Sequence, residues 1–159
     1  MAFVKSHFYP GADILGDVFH CSSSSSFKVK GARIVAVGGQ IGESADYSPF
    51  TPDGADGSQF EGGHAQQFDV AMYNVERALA VASPHLSPEE LWAGVYNMTS
   101  FHVGVVSQEE QLEIAASARK WFSKGNNKPA WAAICVAALF PPKCLIEIQV
   151  QAAYKEEDA

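Results

Sequence analysis

Apolar and polar side chains alternate most regularly near the end of the chain. Ile146, Ile148 and Val150 take every second place, and Glu147, Gln149 and Gln151 fill the places between. Successive side chains of a strand face opposite sides, so this run is a strand with one apolar face and one polar, carboxylate-bearing face. The whole stretch from 129 to 153 reads as two strands joined around Phe140, Pro141, Pro142 and Lys143, a hairpin. A second hairpin is expected where Phe27–Lys30 and Arg33–Val37 flank Gly31 and Ala32.

Helical periodicity is clearest over Phe68, Met72, Val75, Leu79 and Ala82, spaced by three and four to give one apolar stripe that Ser83-Pro84 ends. Ser87-Pro88-Glu89-Glu90 opens a short helical turn, and Leu91–Met98 becomes strand-like through its Trp, Val and Tyr. Ser107 with Glu110 is a capping box, which starts a helix that Gly125-Asn126-Asn127 stops. The order is β-β-α-β-α-β-β. Two helices then cover one face of a single sheet, and the face bearing Glu147 is left for self-association to hide.

Other stretches invite chemistry and lack its context. Gly38-Gly39-Gln40-Ile41-Gly42 follows a strand, but neither a terminal GK[ST] nor an immediate helix follows it. A bulge or close backbone approach is the better reading than a phosphate loop. Asp53 and Asp56 sit in a turn-rich loop without the closing Glu of a calcium loop, so the loop is solvated or serves as a lid. His7, His20, His64, His85 and His102 show no metal-ligand spacing, and strand or helix register brings none of them together. The run Ser22–Ser26 alone suggests a flexible link.

Composition narrows the function classes. The 159 residues amount to about one domain, and 47% hydrophobic with 18% charged residues is the composition of a folded chain. A net charge of −7 with only eleven Lys and Arg disfavours a nucleic-acid partner. Three cysteines without CxxC spacing fit a reducing compartment better than a disulfide framework, and no apolar run is long enough for a signal core or a membrane span. The expectation is a cytoplasmic protein with no membrane partner.

Three segments in register resemble the Rid (YjgF-like, reactive intermediate deaminase) family. Val37-Gly38-Gly39-Gln40-Ile41 resembles its "SGQI" strand end, Lys128-Pro129-Ala130-Trp131 its "xPARS" strand start, and Leu145–Gln149 its closing "VEIE" strand. The resemblance implies an α+β, chorismate-mutase-like fold over residues 25–154, preceded by an extension at 1–24 and followed by an acidic tail at 155–159. It also implies a homotrimer with small-molecule clefts between subunits, and imine or enamine hydrolysis without metal or organic cofactor.

Carried over by position, the VEIE carboxylate is Glu147 and the SGQI glycine is Gly39. The Arg that clamps a substrate carboxylate is replaced by Trp131, and the pocket Cys falls on Ala133. A first-strand Tyr of the family falls near Ser25. Indole offers one N–H where guanidinium offers a fork, so the pocket suits a larger, flatter, more apolar ligand than a 2-iminoacid. The expected function is hydrolysis or isomerisation of an imine, enamine or enol-type intermediate, with Glu147 catalytic and Trp131, Gly39, Ala133 and Ser25 contacting substrate. The alternative is a ligand-binding or scaffold protein that has lost catalysis. A ribonuclease reading, which rests only on a label given to relatives, is opposed by the acidic charge.

Overall fold

The structure, a computed structural model, describes residues 4–11, 22–43, 60 and 62–155. His20, Cys21, Asp53, Asp56, most of the loop between 43 and 63, and all of the acidic tail but Lys155 lie outside the described residues. The fold is α+β. Six strands, β1 (Lys5–His7), β2 (Ser24–Val29), β3 (Ala32–Ile41), β4 (Val95–Val103), β5 (Ala130–Val136) and β6 (Ile146–Lys155), form one mixed sheet in the order β1-β2-β3-β6-β4-β5. Among the described residues it is joined by three helices, α1 (His64–Ala82), α2 (Pro88–Ala93) and α3 (Gln108–Gly125). Only β4 and β5 run parallel to each other as neighbours.

The α1 stripe is the centre of the core. Phe68, Met72, Val75 and Leu79 are fully buried, opposite Val35 of β3, Met98 of β4, and Ile146, Ile148 and Val150 of β6. Each such side chain contributes on the order of 2 kcal/mol by leaving water. The alternation expected in β6 is present, with Glu147, Gln149 and Gln151 on the opposite, outer face. Ser107 starts α3 as a capping box: Glu110 N–H donates to the Ser107 hydroxyl, and Ser107 N–H donates to the Glu110 carboxylate. Asn126 closes it in the left-handed conformation.

Four expectations change. The strands β5 and β6 are not a hairpin. Strand β4 lies between them, so the segment around Phe140–Lys143 is a crossover and β5 becomes the sheet edge. The serine run is not a link: Ser24–Ser26 belong to β2, and small hydroxyl side chains fit there because Ser24 donates to the Ala78 carbonyl of α1. Ser87 and Glu90 form a full capping box with Pro88 behind it, which carries a third helix to Ala93 and delays the strand to Val95. Lys5–His7 add a further strand beside β2.

Candidate functional site

The residues singled out by sequence fall on two faces of the sheet. On the outer face, β3 shifts register against β6 between Val37 and Gln40, which makes Gly38-Gly39 a bulge inside the strand. Glu147 follows on the neighbouring strand and its side chain folds over Gly39, in space that any Cβ there would fill. Gln149 Nε2 donates to Glu147 Oε1 over 3.4 Å. Ser25 shares this face through Ala36, which stands opposite both Ser25 and Gln151. Glu147, Gly39 and Ser25 thus face one side together.

Trp131 and Ala133 face the other side. Parallel pairing sets Trp131 beside Met98 and Ala133 beside Ser100, both buried against the helices. The Trp131 ring packs on Phe68 at a centroid distance of 5.9 Å, and its Nε1–H donates to Ser100 Oγ at 2.8 Å. Ser100 Oγ is in turn 2.8 Å from His102 Nε2. Indole can only donate, so Ser100 accepts from Trp131; its second lone pair or its own hydrogen meets His102, according to the histidine tautomer. Burial, and secondarily the nearby His64, hold the His102 pKa below its ordinary value.

Trp131 is 38% exposed and forms a wall of two clefts. One, about 400 Å³, runs along Ala118, Phe122, Asn126 and Lys128. The other, about 390 Å³, lies between α3 and β5, with His102, Gln111, Ile114, Ala133 and Cys135 in its wall. Neither contains Glu147. Within one chain, Glu147 and Gly39 are therefore not brought together with Trp131 and Ala133.

Sequence spacing separated the histidines, and the fold joins two of them. His64 from α1 stacks on His102 from β4 with centroids 6.5 Å apart. His64 Nδ1 is 3.0 Å from Glu110 Oε1 and its Nε2 is 2.9 Å from the Val103 carbonyl. The Ser107 N–H and hydroxyl, and then His64, hold the Glu110 carboxyl down at about 2. Among the described residues no group of three His, Cys, Asp or Glu side chains is placed to hold a metal ion.

Three further residues of chemical interest escaped the sequence reading. Ser100 and His102 gave no signal, because their relation to Trp131 depends on the parallel pairing of β4 with β5, far apart in sequence. Glu43, at the end of the glycine-rich stretch, has its Oε2 buried without a hydrogen-bond partner. Burial pushes its carboxyl up to about 7, against the opposing pull of Arg77. Cys144 is an inert core thiol, pushed up to about 12 by burial, whereas Cys135 is exposed.

A family model described as endoribonuclease L-PSP matches residues 22–154. The chain belongs to this family, the YjgF/Rid group. Solved structures repeat its fold: protein YJGH, with 23% identity over 98% of this chain and 100% of that one, superposes at a TM-score of 0.68. Yeast Mmf1, 22% identical over 96% and 99% of the two chains, gives 0.62. A Mycobacterium tuberculosis protein described as a member of the YjgF/YER057c/UK114 family, 19% identical over 94% and 98%, gives 0.60. No curated protein matches the sequence. No helix among the described residues is long and apolar enough to cross a membrane.

Proposed function

We propose that this chain is a Rid-type small-molecule enzyme working at clefts between the subunits of a homotrimer. Its substrate is an imine, enamine or enol-type intermediate other than a simple 2-iminoacid. The supporting observation is that Glu147 and Trp131 stand on opposite faces of one sheet, while every residue from Ala130 to Cys135 on edge strand β5 is exposed. A ligand touching both groups then needs two chains, one offering β5 and the other the face of Glu147. Exposed apolar Ala132 and Ile134 fit burial by a second copy.

In imine hydrolysis the Glu147 carboxylate takes a proton from the attacking water as the C–O bond forms. The imine having entered protonated on nitrogen, Glu147 hands that proton on to the amine of the carbinolamine, then takes the hydroxyl proton as C=O forms and the C–N bond breaks, and ammonia leaves with it as ammonium. The Trp131 N–H is already engaged by Ser100, so it holds no substrate carboxylate. Glu147→Gln is the test. Turnover of an enamine generated in place should fall about a hundred-fold or more, and a variant as fast as wild type overturns the reading.

The engaged indole also favours a second reading, a ligand-binding or scaffold protein on the same fold. Absence of turnover across imines, enamines and enols, with metabolite binding retained, would select it. The family's printed description adds a ribonuclease reading, which the net charge of −7 opposes. RNA binding at low salt would revive it.

A further inference from the structure

The two oxygens of Glu147 stand in different surroundings. Oε1 lies over Gly39, in the space a Cβ there would need, and accepts from Gln149 Nε2 at 3.4 Å. Among the described residues that amide is the only hydrogen-bond donor reaching the carboxylate, and it leaves Oε2 without one. The cross-strand neighbours of Glu147 are Phe101 on β4 and Ile41 on β3. Their side chains neither donate nor accept, so nothing beside Glu147 competes with Gln149.

The pairing follows from the strand. Residues two apart share one face, so the period of β6 puts Gln149 beside Glu147 on the outer side. A carboxylate offers only lone pairs, so the amide meets it with its nitrogen. The residue type matters as much as the place. An amide donates without adding charge, whereas a second carboxylate here would repel Glu147 and favour a proton on one of the two. An apolar side chain would leave the Glu147 side chain free to rotate away from Gly39.

We infer that Gln149 is a positioning residue for Glu147. It holds Oε1 over Gly39 and leaves Oε2 as the oxygen that takes the proton from the attacking water. The inference deepens the proposed function and rests on it for the role of Glu147; the contact between the two side chains does not. Gln149 acts through Glu147 and need not touch the substrate. Its loss therefore lowers the rate of the chemical step more than the affinity for substrate.

The test uses the full chain in its native assembly and begins with the wild type. The Gln149 side-chain amide resonances should follow the titration of the Glu147 carboxyl carbon, with the same midpoint. An amide that ignores that titration overturns the inference, and this reading needs neither turnover nor a variant. Gln149 is exposed on its strand, so substitutions there leave the core closed. Gln149→Met keeps the length and removes the donor; kcat should fall roughly ten-fold with KM nearly unchanged. Gln149→Glu should move the acid limb of the kcat/KM profile, and the Glu147 carbon titration with it, to higher pH. Glu147→Gln serves as the reference. If it is slow while Gln149→Met is as fast as wild type, the positioning role fails and the Glu147 chemistry stands. If Glu147→Gln is itself as fast as wild type, that chemistry fails and the role of Gln149 in it falls too.

Discussion

The side chain of Glu147 occupies the space that a Cβ on Gly39 would take, with Oε1, Cδ and Cγ all in its way. The obstruction is the far end of a flexible side chain, and Gly39 is not among the glycines in the left-handed region, so an alanine can be accommodated if the carboxylate moves. Gly39→Ala should therefore displace Glu147 while leaving the fold intact. Turnover is expected to fall roughly ten- to a hundred-fold, as for a misplaced reacting group, with the melting temperature lowered by only a few degrees, about 1 kcal/mol or less. Steady-state kinetics beside thermal melts separate the two effects. A fully active Gly39→Ala enzyme would mean that the position of Glu147 is immaterial.

Trp131 bears on substrate choice. Its only polar atom donates to Ser100, so Trp131→Arg exchanges an engaged indole for a guanidinium with free donors at the cleft. Gain of 2-iminoacid turnover in that variant is the expected outcome. Trp131→Phe removes the donor alone and keeps an apolar ring on Phe68. It should cost roughly 1 kcal/mol of stability, the scale of one lost hydrogen bond, with no gain in iminoacid turnover.

Local signals in the sequence were enough for most elements and too short-ranged for the site. The α1 stripe, the β6 alternation and the Ser107–Glu110 box each act within a few residues, so each could be read directly. The position of β6 between β3 and β4 depends on contacts across the chain, which alternation cannot encode; the two strands around Phe140–Lys143 looked like a hairpin for that reason. Ser24 and Ser26 read as linker because serine is a poor core residue, although each side chain finds a partner, the Ala78 carbonyl and His7 respectively. Site residues recognised by resemblance were located one by one, but their faces were not. Trp131 pairs with Met98 and Glu147 with Phe101, an odd number of steps along β4, so the register across the crossover puts them on opposite sides.

Two carboxyls with opposite shifts set the pH response. Glu110 is held at about 2 in the fold against 4.5 ordinarily, so its contribution is fully present above about pH 4.5 and is lost as pH falls toward 2. Glu43 is raised to about 7, so the folded state binds its proton more tightly than the unfolded chain. The resulting penalty is absent below about pH 4.5, grows as pH rises, and is complete above about pH 7. Glu43→Gln should accordingly raise the melting temperature at pH 8 and leave it nearly unchanged at pH 4. Glu110→Gln should flatten only the acidic limb. Melting curves across this range check both, and a Glu43→Gln gain equal at pH 4 and pH 8 would remove ionisation as the cause.

Edge strand β5 gives the last prediction. Ile134 is 42% exposed and stands beside Phe101, whose other neighbour is Glu147, so it belongs to the outer face. An isoleucine there gains by burial against a second chain, and a carboxylate at the same place would have to be desolvated without a partner. Ile134→Glu should leave the monomer folded, since the side chain is exposed on an edge strand. It should shift sedimentation from the proposed trimer to monomer. Turnover needs groups from two chains in the proposed site and should disappear with the assembly. A trimeric Ile134→Glu protein would place the subunit interface away from β5, and full activity in a monomer would remove the need for a shared site.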